Sequence, residues 1–336
     1  MTIDPSKPFD VVALGAAIVD ILAQVEDRFL EEHDVQKGGM TQVDHGRSEA
    51  IYKSMRQPKI VSGGSAANSV AALAALGGKA GFIGKTKEDE LGEVFRSEIR
   101  RIGVAFDTPA FGPSTPGGTA RCMILVTPDA QRSMLTDLGV SGLLTTSDLD
   151  QSLLEQSKVV YLEGYLWDHV ETMRAFSAAA ETAKAAGGQV ALTLSDSFCV
   201  DRHRDSFKEL VSGQVDVLFA NEEEILSLYQ TEDFEAAIAR AAEAAPVAVV
   251  TRSEKGCVVL SGDARHDVPA AEIAALVDTT GAGDMFAAGF LHGYTTGKDL
   301  ETCGRMGCLA ASETIQHLGE RPESDLKALF ASKGLV

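Results

Sequence analysis

Asp278-Thr279-Thr280-Gly281-Ala282-Gly283-Asp284-Met285-Phe286-Ala287-Ala288-Gly289 joins an anion cradle to a carboxylate at the mouth of a helix. Gly281 and Gly283 permit backbone geometries that turn several N–H groups outward, and the apolar run 285–291 reads as the helix that follows. Such a nook stabilises a phosphate. A purely anion-binding loop would avoid a negative charge at Asp284, so this carboxylate is read as the group that meets an acceptor hydroxyl. The chemistry implied is phosphoryl transfer, with the amides of Gly281, Ala282 and Gly283 holding developing charge while Asp284 orients an alcohol and takes its proton. On these residues alone two other readings stay open. One is a dinucleotide-binding turn, which expects a small residue where Phe286 stands and a place near the start of a βαβ unit. The other is a tight structural turn.

Working outward, the segment 9–14 is a short apolar run closed by Gly15, with Asp20 just beyond. Residues 59–62 form a strand candidate that ends on Gly63-Gly64, and the alanine-rich stretch 65–76 reads as a helix stopped by Gly77-Gly78. A strand at 80–84 precedes an amphipathic helix at 89–102. Two β-like runs, 119–126 and 132–138, flank Pro128-Asp129-Ala130-Gln131 as a hairpin. Residues 26–44 are charged and broken by Gly38-Gly39, which suits an edge sheet or lid. Further on, strands at 159–162, 190–194, 215–220 and 247–251 alternate with helices such as 169–186 and 233–245. This is the pattern of a parallel sheet covered on both faces, with 257–260 added antiparallel. After Asp284 the chain reads as helical, with breaks near Gly297 and 319–322. The expected fold is α/β: one domain over 1–336, with a mostly parallel, Rossmann-like central sheet flanked by helices. A small β-rich lid is expected from about 16–60 and 105–140.

Composition narrows the partners. A formal net charge of −19 over 336 residues repels nucleic acid and acidic membrane surfaces at long range. Five cysteines, odd in number and without C-x-x-C pairing, argue against a disulfide framework or zinc site and suit a reducing compartment. With no apolar leader in residues 1–9 and no segment of membrane-spanning length, a cytoplasmic protein is expected, monomeric or homodimeric. No Gly-x-x-x-x-Gly-Lys loop occurs, so a nucleotide must be held without a Walker lysine.

Asn221 and Glu224 follow the apolar strand at 215–220 with i, i+3 spacing, which places both on the first turn of the next helix at the sheet's carboxyl end. They could hold Mg²⁺ through its water shell. Equally, Asn221 could be an N-cap, with the acidic run 222–224 favouring the helix dipole. Asp20, Gly64 and Asn68 suit an acceptor rich in hydroxyls: a carboxylate can take two hydroxyl hydrogens, an amide donates and accepts, and a glycine admits a sugar ring to the backbone. The plain structural readings are a helix-capping Asp20 and a buried, backbone-bonded Asn68.

The run from Asp278 to Asp284 resembles the D-T-x-G-A-G-D signature of the ribokinase-like, phosphofructokinase B family of carbohydrate and nucleoside kinases. Gly63-Gly64-Ser65-Ala66-Ala67-Asn68 resembles that family's glycine-pair and asparagine element, and Asn221 to Glu224 its N-x-x-E element. The resemblance implies a ribokinase-like fold and an ATP-dependent kinase acting on a small nucleoside or sugar, with Mg²⁺ and K⁺ as cations, K⁺ near Asp278 and the loop before 310–313. It also implies acceptor contacts from Asp20, Gly63, Gly64, Ser65 and Asn68, and nucleotide contacts from Asn221, Thr251, Arg252, Gly256 and Thr279. Within the family, Asp20 followed by the long 26–44 segment, Arg132-Ser133, and the element 195–202 are more similar to adenosine kinases, bacterial members above all, than to ribokinases or fructokinases. A nucleobase slot would then draw its walls from Met134, Leu138 and Tyr165, with Met40 and Phe198. Ala16 departs from the asparagine that animal adenosine kinases carry near the sugar. A sugar kinase of the same fold is the alternative, and a non-catalytic nucleotide-binding protein the more distant one.

Overall fold

The computed structural model describes residues 3–129 and 131–335; Met1, Thr2, Ala130 and Val336 fall outside. The strands are β1 (Phe9–Leu14), β2 (Ile18–Gln24), β3 (Met40–Gln42), β4 (Lys59–Gly63), β5 (Ala80–Ile83), β6 (Ala120–Val126), β7 (Arg132–Asp137), β8 (Ser157–Glu163), β9 (Gln189–Thr193), β10 (Val217–Asn221), β11 (Val247–Thr251), β12 (Cys257–Ser261) and β13 (Ala264–Val268). Eight of them form a sheet in the order β13-β12-β11-β10-β9-β8-β1-β5. The run from β5 to β11 is parallel, and β12 and β13 close it antiparallel. Five others form a smaller sheet, β3-β7-β6-β2-β4.

Period-two alternation explains why the large sheet is buried twice over. Val11 and Ala13 of β1 face a core shared with Phe286 and Phe290, whereas Val12 and Leu14 face one shared with Phe176 and Phe207. Helices Ser65–Ala75 and Ala282–Thr295 cover the first face, and Val170–Ala185 and Ser197–Gly213 the second. The first core continues into the small sheet through Val19, Ile21, Met123, Leu125 and Leu135, so the two sheets share packing.

Strand order reverses between β1 and β8, because the chain leaves β1 for β5 on one side and β8 for β9 on the other. Open α/β sheets bind ligands at such a point, outside the strands' carboxyl ends. Gly15, Ala16 and Glu163 sit there.

Several local expectations are corrected. Residues 26–44 contain the helix Asp27–Glu32 and only the three-residue edge strand β3, since Asp27 to Glu32 offers a charged outer face around the buried Leu30. Asp20 caps no helix: it lies within β2, opposite Val61 and Cys122. The helix Ser197–Gly213 fills the expected interval between β9 and β10, whereas the helix His45–Ser54 and the strands β2 and β13 were not anticipated. Residues 105–111 bridge to Gly81 and Lys87, beside the edge of the large sheet. Among the described residues, no helix is long and apolar enough to cross a membrane.

Candidate active site

The helix Ala282–Thr295 begins at Gly281, whose φ of +76° is left-handed backbone that glycine adopts without strain. Its carbonyl accepts the N–H of Met285 at 2.9 Å, and Thr279 accepts that of Ala282 at 3.2 Å. Among the described residues, no protein acceptor faces the N–H of Gly283 or Asp284. These two donors, at the positive end of a 14-residue helix, form the anion cradle.

The Asp284 carboxylate lies beside it. Its Oδ1 accepts the Ser65 hydroxyl at 2.6 Å, and Ser69 donates to the Asp284 carbonyl at 3.1 Å, so the glycine-pair helix and the signature helix are pinned together. Burial pushes the Asp284 carboxyl well above the usual carboxylate range, against the lowering effect of Ser65; the charge of Glu320 adds to the rise, and Asn68 opposes it. The side chain is therefore a better proton acceptor than the ordinary weak base expected of an aspartate.

Facing it are the acceptor groups. Asp20 is 5% exposed and Asn68 1%. Gly63 has to be glycine, since a Cβ there would lie 1.7 Å from Asp20 Oδ2. Gly64 has φ of +93°, and its Cβ would meet the Ala16 carbonyl at 2.5 Å. The Asn68 amide is engaged at both ends: Nδ2 donates to Glu320 Oε2 at 2.7 Å, and Oδ1 accepts Arg321 Nε at 2.9 Å. Burial, and then the neighbouring Glu320, hold the Asp20 carboxyl far above its ordinary value.

Glu163, at the end of β8, ties this wall together. Its Oε1 accepts Ala16 N–H at 3.1 Å and its Oε2 accepts Ala66 N–H at 2.9 Å. Burial pushes its carboxyl up to about 7, opposed by those two N–H groups. Neither Glu163 nor the Glu320–Arg321 pair was anticipated. Glu163 had one faint signal, an acidic residue closing an apolar strand.

The nucleotide-side residues are arranged less openly. Asn221 Oδ1 accepts Glu224 N–H at 2.8 Å, while Glu224 Oε2 accepts Asn221 N–H at 3.0 Å and its Oε1 accepts Asn221 Nδ2 at 2.6 Å. This reciprocal cap is the structural reading of the pair. It leaves Glu224 buried, with a carboxyl raised to about 7 chiefly by that burial. Strand register sets Thr251 beside Asn221. Arg252 makes two 3.1 Å bonds to Glu222 and lies 3.7 Å over the Phe234 ring, so its charge is locally spent. Gly256 serves the β11–β12 turn, where a Cβ would stand 2.0 Å from the Val268 carbonyl. Thr279 is exposed at the cradle's rim.

Tyr165 donates to the Ser195 carbonyl at 3.1 Å and stays neutral through burial and the nearby carboxylates of Asp196, Asp284 and Glu224. It therefore stands between the two halves of the site. Met134 pairs in register with Met40, and Leu138 follows at the end of β7; Met40 and Phe198 are largely exposed.

Among the described residues, no three His, Cys, Asp or Glu side chains meet as a metal cage. With both Glu224 oxygens facing Asn221, the pair fits a hydrated Mg²⁺ held through water, not a directly ligated one. K⁺ does not fit at Asp278. That carboxylate accepts Thr280 N–H at 3.1 Å, Thr280 Oγ1 at 2.7 Å, Gly319 N–H at 3.2 Å and the Arg132 guanidinium, which leaves no oxygen turned outward.

Comparison with known proteins covers the whole site. The profile of the pfkB family carbohydrate kinases matches residues 10–326. Adenosine kinase of Saccharomyces cerevisiae is 29% identical over 332 residues, spanning 92% of this chain and 95% of the yeast protein. Among solved structures, a probable sugar kinase from Rhizobium etli CFN 42 is 46% identical with a TM-score of 0.91, covering 98% of this chain and all of its own. Adenosine kinase from Sinorhizobium meliloti is likewise 46% identical, with a TM-score of 0.89 over 97% of this chain and 99% of its own.

Proposed function

Since the chain belongs to the pfkB family of carbohydrate kinases and is thus an ATP-dependent phosphotransferase acting on an alcohol, we propose that its acceptor is adenosine, phosphorylated at the 5′-hydroxyl. One observation carries the proposal of where transfer happens. A buried carboxylate of raised basicity, Asp284, stands at the mouth of a helix whose first free amides are unpaired, and the hydroxyl-reading Asp20 and Asn68 face it.

In this reading Asp20 and Asn68 hold the ribose hydroxyls, and Gly63 and Gly64 let the ring approach the backbone. Asp284 orients the 5′-oxygen and takes its proton late, as a loose transition state requires, for a contribution of about 10²–10⁴ in rate. The Gly283 and Asp284 amides stabilise the oxygens of the phosphoryl group in flight. Asn221 and Glu224 would hold Mg²⁺ through water, and this ion would offset phosphate charge when bound. Tyr165, Met134 and Leu138 are assigned to the base slot, and Thr251 and Thr279 to the nucleotide. Five free thiols, four of them buried, suit a reducing cytoplasm.

A sugar acceptor is the second reading, favoured by the polar lining that Asp20, Asn68 and Glu320 provide. A turnover panel separates the two: adenosine, other nucleosides, ribose and fructose at equal concentration with Mg·ATP. Adenosine is expected to lead by at least tenfold in kcat/KM. A sugar ahead of every nucleoside overturns the assignment.

A further inference from the structure

The groups best placed to read an acceptor are already bonded to the protein's own chain. Asn68 is satisfied on one side by Glu320 and on the other by Arg321. The carboxyl of Glu320 also lies within hydrogen-bonding reach of Asp20. The segment carrying these side chains is seated on the cradle. Gly319 N–H donates to Asp278 at 3.2 Å, and the Glu320 backbone packs so tightly on Gly281 that a Cβ there would stand 2.7 Å from the Glu320 carbonyl. One backbone anchor at the phosphate side thus lays two side chains across the alcohol side.

This arrangement bears on a problem common to enzymes that hold an activated phosphoryl donor. With ATP bound and the acceptor absent, a water molecule in the acceptor's place would meet the same carboxylate and the same amides. Its oxygen would bond to the γ-phosphorus, and the bond to the β-phosphate oxygen would break with its electron pair leaving on ADP. One water proton would pass to Asp284, giving ADP and inorganic phosphate. Nothing in the cradle itself distinguishes water from an alcohol.

We propose that Glu320, with Arg321, is the residue that makes the distinction: an occupant built into the chain that fills the acceptor pocket until hydroxyl groups of a true acceptor take over Asp20 and Asn68. The fit is incomplete, because among the described residues Arg321 Nη2 is buried without a partner. A buried donor left unsatisfied favours exchange for a ligand that does better. The inference rests on the assignment of Asp284 above, though not on which alcohol is the acceptor.

Acceptor-free ATP hydrolysis tests it, measured as ADP release with Mg·ATP alone and expressed relative to transfer by the same preparation. Glu320→Ala should raise that ratio at least tenfold, and Glu320→Ser, a second small replacement, should do the same. Glu320→Gln keeps the length and an acceptor for Asn68 and should stay near the parent value. Thermal unfolding of each variant identifies any that fails to fold. An unchanged ratio in folded Glu320→Ala and Glu320→Ser overturns the inference. The double variant Glu320→Ala with Asp284→Asn separates this outcome from failure of the assignment. Hydrolysis that falls back supports both, whereas a gain that survives supports the occupant and removes Asp284 as the base.

Discussion

Arg132, the first residue of β7, is paired with Asp278, three residues before the cradle glycine Gly281, so the small sheet is latched to the phosphate site by one guanidinium. The same guanidinium donates to Thr280 Oγ1 at 3.1 Å, and both partners are largely buried. A second nitrogen of Arg132, Nη2, is buried without a partner among the described residues. The latch therefore ties the small sheet to the segment that leads into the cradle.

Removing the latch should be felt on both sides. Arg132→Ala leaves Asp278 buried without its cation, a loss of about 3–5 kcal/mol where a buried pair is broken and the surroundings cannot relax. We expect faster amide exchange in β7 and kcat/KM lowered at least tenfold. Unaltered exchange and turnover would show that the pair closes nothing.

Asp284→Asn keeps the shape of the side chain and its contact with Ser65 but cannot accept a proton. Turnover should fall by about 10²–10⁴, the usual weight of a positioned base, while the Kd for ATP changes less than threefold. Near-normal turnover in the variant would take Asp284 out of the chemistry.

Asp20→Asn and Asn68→Ala should separate acceptor binding from donor binding. Asp20→Asn alters a carboxyl contact and Asn68→Ala removes an amide contact, each worth about 1–3 kcal/mol, so the acceptor KM should rise roughly 5- to 150-fold with the ATP KM nearly constant. Isothermal titration with each ligand alone provides the check. Equal weakening of both ligands would contradict the division of the site.

The pH dependence of stability has an unusual sign here. Glu163 and Glu224 are both raised from 4.5 to about 7 in the folded chain, mainly by burial. Between those limits the native state keeps protons that the unfolded chain has released, so these two groups make stability fall as pH rises through the window and level off above it. Glu224→Gln should remove on the order of 2 kcal/mol of that fall, read by urea denaturation between about pH 5 and 8. An identical slope in the variant would mean that Glu224 is already ionised at the low end.

Much of the large sheet could be read from punctuation. β1, β9 and β11 are apolar runs bounded by Gly15, Gly187-Gly188 and Pro246, β8 and β10 are apolar runs between helical stretches, and all five sit within two residues of where the pattern places them. The small sheet was harder. β2 is buried on both faces around Asp20, so the alternation that would have announced it is absent. In the site, Asp284, Gly64, Asp20 and Asn68 were legible because the chemistry of a glycine, a carboxylate or an amide can be read locally, whereas Gly63 and Ser65 came from the resemblance of the glycine-pair element. Glu163 and Glu320 were not: each acts on residues far along the chain, and no local spacing records such a meeting. Arg252 shows the converse, since its position beside the nucleotide-side strand was readable while its engagement with Glu222 and Phe234 was not.

Asp20 belongs to the small sheet, whereas Ser65 and Asp284 are rooted in helices on the large one. An alcohol gripped among them is a rivet through both, so occupancy and the mutual tilt of the sheets become a single variable. Release of a phosphorylated product would then be coupled to any change in that tilt.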